Sequence, residues 1–149
     1  MKKLVGIVLL TAAFVAGTAF STTAPAPMHS LEGTWELESF CNYDINEVAD
    51  TVRLPEGYRQ VKMYYNGKVM WSRTDPNDTI GRFGYGTYHI TSDELVENIE
   101  FGDHYFMDAM DTTMREFHFE LVLKNNKYSQ ITIDEDGKRS FSENYKKLN

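Results

Sequence analysis

The chain has 149 residues, of which 42% are hydrophobic and 25% charged, and its formal net charge is −7. A chain of this length makes one domain with a single hydrophobic core. Because the excess of acidic side chains repels nucleic acid and anionic lipid headgroups, the composition excludes a protein that binds nucleic acid or an anionic membrane surface.

The N-terminus has the pattern of a removable secretory signal. Lys2 and Lys3 form a positive start, 4–15 is an uncharged apolar stretch, and 17–19 supplies the small residues that signal peptidase requires. We expect cleavage after Ala19, which leaves 13 basic and 22 acidic residues and a net charge of −9. The apolar stretch is short for a bilayer core of about 30 Å, and no cysteine follows it to carry a lipid. The mature protein is therefore predicted to be periplasmic or secreted and not embedded in a membrane.

The chain divides into three segments: a signal peptide at 1–19, a disordered tether at 20–30 and one folded domain at 31–149. The tether is rich in Ser, Thr, Ala and Pro, a composition that does not support a core. Cys41 is the only cysteine, so the exported chain has no internal disulfide and its fold depends on hydrophobic packing. We interpret Cys41 as a buried apolar side chain, with a disulfide between the two chains of a homodimer as the alternative.

From residue 31 onward the hydrophobic pattern has the period of two that is typical of β-strands. We predict eight strands, at 33–40, 58–65, 68–74, 82–90, 94–101, 114–123, 127–133 and 139–147. Turn signals separate them, and Asn66-Gly67 is the strongest. Eight strands joined mostly by short turns predict an all-β fold, an antiparallel up-and-down β-barrel, because closing the sheet removes the exposed edges that invite aggregation.

Two of the predicted connections are long. The first, 41–57, carries a predicted short helix near 45–49, and the second, 102–113, contains several aromatic and methionine side chains. Long loops in compact domains are often lids or binding loops, so 102–113 is a candidate gate. The alternative is that its apolar side chains plug one end of the barrel.

The hairpin around Asn66-Gly67 admits two registers. A two-residue turn places Lys62 beside Trp71, whereas an odd offset with a bulge at the glycine aligns Val61 and Met63 with Trp71. The second arrangement makes one face almost wholly apolar. We therefore predict the bulged register, with Val61 and Met63 facing inward.

Several short motifs resemble those of known β-barrel proteins. The run 31–37, Leu-Glu-Gly-Thr-Trp-Glu-Leu, resembles the opening strand of lipocalins and fatty-acid-binding proteins, together the calycin group. The runs 70–76, 84–88 and 143–148 look like segments of small exported lipocalin-like proteins of bacteria. The lack of a cysteine pair also fits this bacterial group better than secreted animal lipocalins.

The resemblance implies a role for residues at the base of the barrel. Gly33 and Trp35 would stand there, with the Trp35 ring packed at the closed end. In lipocalins a basic residue late in the chain stacks over this tryptophan. Lys146 or Lys147 would take that role, where the family more often has an arginine.

An eight-stranded barrel is just wide enough to be filled by side chains or to hold one small ligand. The candidate inward residues are mostly large: Trp35, Val61, Met63, Trp71, Tyr88, Ile99, Phe101, Phe117 and Phe119. We therefore predict a narrow cavity that binds a small hydrophobic or amphipathic molecule. Its predicted ligand-binding residues are Trp71, Arg73, Tyr88, Glu97, Phe117 and Phe119.

Arg73 and Glu97 are the polar members of this predicted site, and a few polar groups among apolar walls orient a ligand. The resemblance to fatty-acid-binding barrels implies that Arg73 pairs with a ligand carboxylate. Two alternatives stay open: an ion pair between Arg73 and Glu97, or an Arg73 side chain that reaches solvent at the rim.

The sequence contains little evidence for a metal site, a cofactor site or a catalytic site. Acidic and histidine side chains gather near the second long connection: Asp103, His104, Asp108, Asp111, Glu116 and His118. They lack a short histidine spacing and a cysteine, so we predict no metal site. No cofactor motif, no Gly-x-Ser-x-Gly elbow and no histidine close to Cys41 in sequence occurs, so we predict no catalytic residues.

Two further functions are kept as alternatives to ligand binding. A filled barrel could serve as a protein- or peptide-interaction module through 41–57 and 102–113. An enzyme using the cavity would require Glu97 and a second titratable group within hydrogen-bond reach.

Overall fold

The computed structural model describes residues 30–110 and 113–149, so the predicted signal peptide and nearly all of the predicted tether lie outside the described residues. Over these two ranges the chain forms nine β-strands and one short helix. Their bounds are β1 Gly33–Asp44, β2 Glu47–Arg53, β3 Arg59–Tyr65, β4 Lys68–Asp75, β5 Asp78–Ile90, β6 Glu94–Gly102, α1 His104–Ala109, β7 Glu116–Lys124, β8 Lys127–Ile133 and β9 Arg139–Lys147. No helix within the described residues is long and apolar enough to cross a membrane.

The strands form one antiparallel sheet that closes into a ring. Strands β3 to β9 pair in chain order, and β1 joins the two ends by pairing with β3 at 33–36 and with β9 at 35–42. Among the described strands β2 pairs with β1 alone, and all of its residues are exposed. The predicted all-β antiparallel class is confirmed, whereas an eight-stranded lipocalin-like barrel stays a prediction.

The first long connection is a β-hairpin rather than a loop with a helix. Strand β1 runs to Asp44 and pairs with β2, and the turn between them consists of Ile45 (φ 47°) and Asn46 (φ 68°). Two successive positive φ values are the hallmark of a type I′ turn, whose twist matches that of paired strands. The helix predicted near 45–49 is therefore wrong, because the turn contains no glycine to mark it.

The β3–β4 hairpin has the register that was not predicted. Asn66-Gly67 (φ 47° and 72°) forms a two-residue turn, and Lys62 lies opposite Trp71. Lys62 is buried and Met63 is 44% exposed. The predicted inward placement of Val61 and Met63 is wrong because Lys62 finds charged and polar partners inside the ring.

A bulge between Tyr85 and Gly86 changes the register of β5 and β6. Beyond it Phe101 lies opposite Tyr85 and is 52% exposed, so its predicted inward placement is wrong. A Cβ on Gly86 would lie 2.0 Å from the carbonyl oxygen of Asn98. The backbones of the two strands therefore approach each other at a distance that only glycine allows.

The ring interior is divided along its length, and one end is filled by a hydrophobic core. The core consists of Leu31, Trp35, Leu37, Tyr64, Val69, Leu95, Leu121, Tyr128 and Tyr145. Three aromatic rings of this core are in direct contact. The Tyr128 ring meets the Trp35 ring edge-on, with 4.9 Å between ring centroids, and stacks on the Tyr145 ring at 4.8 Å.

Trp35 lies at this core-filled end with its polar atom satisfied. The ring is 1% exposed, and Nε1 donates to the Leu31 carbonyl oxygen at 2.7 Å. Lys147 Nζ stands 5.3 Å from the ring centroid, a cation–π contact, whereas Lys146 Nζ lies 3.8 Å from Glu36. The Lys147 chain also crosses Gly33 (φ 128°), where a Cβ would lie 2.7 Å from Lys147 Cε.

Candidate functional site

A polar cluster lies inside the ring next to the core. Lys62 Nζ donates to both carboxylate oxygens of Glu97 at 3.0 Å and to Gln130 Oε1 at 2.7 Å. The Tyr64 hydroxyl donates to Glu97 Oε1 at 2.7 Å and lies 3.1 Å from the Tyr128 hydroxyl. Lys62 and Glu97 are 4% and 3% exposed. Because these side chains come from β3, β6 and β8, the cluster ties separate walls of the ring together.

The cluster is satisfied by its own members. Burial, followed by the Glu97 carboxylate, holds the pKa of Tyr64 and of Tyr128 well above that of a free phenol, so both hydroxyls keep their protons. Across the described residues no buried side-chain nitrogen or oxygen lacks a hydrogen-bond partner. Glu97 pairs with Lys62 and not with Arg73. The enzyme alternative requires a second titratable group within hydrogen-bond reach of Glu97, and Lys62 is such a group. Its ammonium group, however, is already hydrogen-bonded to Glu97 and Gln130.

On the side away from the core, a cavity of about 220 Å³ lies inside the ring and opens to solvent. Its walls include Trp71, Ile99, Phe106, Phe117 and Phe119, and its polar groups are Gln60, Lys62, Arg73, Glu97, Gln130 and Glu143. Five of the predicted ligand-binding residues therefore stand together here: Trp71, Arg73, Glu97, Phe117 and Phe119. That they bind a ligand stays a prediction.

Tyr88, the sixth predicted residue, lies outside this lining. Its ring meets Tyr64 edge-on at 4.7 Å, and its hydroxyl lies 3.4 Å from Glu32 Oε1. Burial, followed by the Glu32 carboxylate, raises the pKa of Tyr88 to about 12. On β5 the position opposite Trp71 is Gly84, so Tyr88 stands four residues closer to the core.

Arg73, Gln60 and Glu143 form a polar arc along one side of the cavity. The β3–β4 register places Gln60 directly opposite Arg73. Gln60 Nε2 lies 3.3 and 3.4 Å from the Glu143 oxygens and donates to the Tyr145 hydroxyl at 2.6 Å. That hydroxyl donates to Glu143 Oε2 at 2.6 Å, and burial, followed by Glu143, holds the pKa of Tyr145 well above its usual value.

Helix α1 places an aromatic side chain at the mouth of the cavity. Asp103 caps the helix by accepting from the Phe106 N–H at 3.0 Å, and it also accepts from the Phe83 N–H at 3.1 Å and from Arg82 at 3.2 Å. Although burial raises the pKa of Asp103, these donors bring it below its usual value. The Phe106 ring, held in this way, meets Trp71 edge-on at 5.0 Å.

A second cavity of about 370 Å³ adjoins the first at this mouth. Trp71, Arg73 and Phe106 line both cavities, and Arg82, Tyr105 and Ala109 complete the second. The two arginines differ in their partners. Arg82 pairs with Asp78 at 2.8 Å and with Asp103, whereas the described residues offer Arg73 no salt bridge.

Sequence patterns missed four lining residues: Gln60, Lys62, Gln130 and Glu143. Phe106 belongs to the segment 102–113, which the sequence predicts as a gate or a plug. Gln60 and Lys62 share a signal, since they alternate with a buried tyrosine along β3 in the way that inward residues do. The sequence analysis instead places Val61 and Met63 inside, because they are apolar and Gln60 and Lys62 are not. The partners of Lys62 lie 35 and 68 residues away, so no local pattern identifies them.

Among the described residues no three His, Cys, Asp or Glu side chains are placed to hold a metal ion. Of the acidic and histidine residues considered from the sequence, Asp111 lies outside the described residues. His104 pairs with Asp108 at 3.2 Å, and His118 lies between Glu94 at 2.8 Å and Glu116 at 3.0 Å on the outer face of the sheet.

His118 is expected to titrate above the ordinary range of histidine. Its hydrogen bond to Glu94, followed by that to Glu116, raises the pKa of His118. The interaction therefore stabilises the fold at pH values below the unfolded-state pKa and is lost as the pH rises through the raised folded-state pKa. An NMR titration of the imidazole should show the raised midpoint, and E94Q should lower it. The control E38Q, which removes a partner of Lys127, should leave it unchanged; an E94Q midpoint equal to that of the parent protein contradicts the assignment.

Comparisons with known proteins identify a likeness of fold. No protein-family model matches this chain, and no curated protein sequence matches it. Among solved structures, the crystal structure of an uncharacterized protein from Bacteroides eggerthii DSM 20697 is similar, with a TM-score of 0.52 and 12% sequence identity. The match covers 80% of this chain and 100% of that chain. At this identity the likeness shows that the two proteins share a fold and nothing beyond it.

Proposed function

We propose that this protein binds one small hydrophobic or amphipathic molecule in the interior cavity. The observation that carries the proposal is the 220 Å³ cavity with aromatic walls and polar groups on one side, the composition typical of small-molecule sites. An engineered protein cavity of about 150 Å³ admits benzene, so this space suits a single ring with a short polar extension. Apolar burial contributes about 25 cal/mol per Å² removed from water.

The finer fold assignment that goes with this proposal is a lipocalin-like barrel. Strands β1 and β3 to β9 form the ring, with β2 as an added flap. The buried Trp35 with Lys147 over its ring supports the same assignment. An experimental structure with a gap between β1 and β9 would contradict it.

The ligand enters past α1 in this proposal. Phe106 and Trp71 stand at the junction of the two cavities, so separation of their rings widens the passage. The alternative of a filled interaction module has less support. This alternative requires an interior without a cavity and an exposed apolar patch on the second long connection. In that connection Tyr105 is 53% exposed, but Phe106 and Met110 are partly buried.

The two tryptophans allow a test with a built-in control. Trp71 lines the cavity and Trp35 lies in the core, and the chain has no other tryptophan. Titration of 2-phenylethanol into ¹⁵N-labelled protein should shift the Trp71 indole N–H resonance in a saturable manner and leave that of Trp35 in place. Equal or absent shifts at both indoles, together with no bound molecule in native mass spectrometry of the purified protein, contradict the proposal.

We place the mature protein in the periplasm or outside the cell. The support is the charged, apolar and small-residue pattern of 1–19, which lies outside the described residues. The intact mass of the protein recovered from the periplasm or culture medium should correspond to a chain that begins at Phe20. A cell-associated protein of full-length mass contradicts this location.

A further inference from the structure

The cavity contains charged side chains of two kinds, those that neutralise each other and those that do not. Lys62 and Glu97 form a complete ion pair with Nζ–O distances of 3.0 Å. A ligand therefore needs no charge to satisfy this pair. Arg73 and Glu143 line the same cavity, but among the described residues neither makes a salt bridge.

Arg73 and Glu143 stand on either side of one carboxamide. Gln60 lies opposite Arg73 across the β3–β4 pair, where side chains on one face are about 5 Å apart at Cβ. The Gln60 Nε2 atom lies 3.3 Å from Glu143 Oε2. Arg73 and Glu143, which have opposite charges and make no salt bridge among the described residues, are thus neighbours of Gln60. Arg73 also has a side-chain hydrogen bond with Tyr58.

The hydrogen bonds of the arc hold these charges without cancelling them. Glu143 accepts from the Tyr145 hydroxyl at 2.6 Å, and the Tyr58 hydroxyl donates to Gln60 Oε1 at 3.0 Å. Both donors are neutral groups. The Glu143 carboxylate retains lone pairs for a cationic donor, and the Arg73 guanidinium retains N–H groups for an anion.

We propose, as a refinement that rests on the proposed function, that the cavity takes a small amphoteric molecule: one apolar ring or a body of similar size, bearing an amine for Glu143 and a carboxylate for Arg73. The aromatic walls contributed by Trp71, Phe117 and Phe119 contact the ring. The volume of the inner cavity, about 220 Å³, suits an apolar body of one ring with a short side chain.

Four probes with the same phenyl-alkyl skeleton test the charges separately by isothermal titration calorimetry. L-phenylalanine carries both charges, 2-phenylethylamine only the amine, 3-phenylpropanoate only the carboxylate and 2-phenylethanol neither. Because a hydrogen bond between two charged groups is stronger than one between neutral groups, removing either charge from the ligand should weaken binding about tenfold.

Variants assign each charge to its residue. R73Q should abolish the advantage of L-phenylalanine over 2-phenylethylamine, and E143Q its advantage over 3-phenylpropanoate. The control R59Q alters an arginine that is 62% exposed and pairs with Glu36 outside the cavity, and it should leave all four affinities unchanged. Because Arg73 is exposed and E143Q preserves the shape of the side chain, R73Q keeps the test valid should E143Q fold poorly.

The outcomes separate this inference from the proposed function. If 2-phenylethanol binds as tightly as L-phenylalanine, the amphoteric ligand is excluded while the cavity site stands. If no probe binds and the Trp71 indole resonance is unmoved, both are excluded. A charge preference that survives R73Q and E143Q overturns the assignment of these two residues.

Discussion

Replacement of Gly86 by alanine is expected to destabilise the protein by about 3 kcal/mol, at the upper end of the cost of overpacking. The added Cβ would lie 2.0 Å from the Asn98 carbonyl oxygen and 2.9 Å from Ile99 Cα. Both are backbone atoms of β6, so no side-chain rotation relieves the contact. The strands must separate at the bulge, and pairing on either side of it weakens.

Gly81 provides the matched control on the same strand. A Cβ there would lie 3.9 Å from the nearest atom, the Arg73 carbonyl oxygen. G81A should therefore change the free energy of unfolding by no more than about 0.5 kcal/mol, with a small gain from the stiffer unfolded chain. Urea unfolding followed by tryptophan fluorescence measures both variants. A loss below about 1 kcal/mol for G86A means that the strands do not approach closely at Gly86.

The same close approach explains one part of the fold that sequence patterns could not predict. The alternation in β5 and β6 placed Glu97 and Ile99 inside, which agrees with the structure. It also placed Phe101 inside, because a period of two assumes an uninterrupted ladder. The bulge at Gly86 adds one residue to β6 and turns Phe101 outward. A glycine in a strand indicates that such a bulge can occur but not on which side the register shifts.

The first hairpin shows the limit of turn signals. Asn66-Gly67 was identified as a turn because its residues tolerate positive φ at low cost. The turn at Ile45-Asn46 has the same backbone, with φ of 47° and 68°, but a β-branched residue occupies its first position. Pairing of β1 with β2 over 39–44 and 47–53 outweighs the local cost at Ile45. Such a tertiary effect is invisible to local propensity.

The candidate site was partly accessible from the sequence for a physical reason. Trp71, Phe117 and Phe119 are large apolar residues in alternating runs, and burial is their strongest tendency. The charged lining follows no such rule. Lys62 reads as a solvent-facing residue, and its burial depends on Glu97 and Gln130, which only the closed ring brings within 3.0 and 2.7 Å.

Substitution of Lys62 by methionine is expected to cost about 3–5 kcal/mol of the free energy of unfolding, the usual penalty for leaving a buried charge without its partner. Glu97 would keep the Tyr64 hydroxyl at 2.7 Å but lose its only salt bridge among the described residues. Methionine matches the length of the lysine chain, so packing changes little and the lost charge dominates.

The exposed pair Lys68–Glu100 serves as the control. Its atoms are 3.3 Å apart, but its side chains are 48% and 46% exposed. Surface pairs contribute about 0–1 kcal/mol, so K68M should lie within about 1 kcal/mol of the parent protein. Both variants are measured by urea unfolding at one pH and one ionic strength.

The double variant K62M/E97Q decides whether the penalty comes from an isolated charge or from lost packing. It removes both charges but leaves side chains of similar size, so it should be more stable than K62M alone. If K62M costs no more than K68M, the pair is not buried as described. The single variant E97Q is measured alongside. If the double variant loses as much stability as K62M and E97Q lose in total, packing and not charge sets the loss. In the expected case the ion pair, once formed, contributes little net stability, and its effect is to require that β3, β6 and β8 meet in one register.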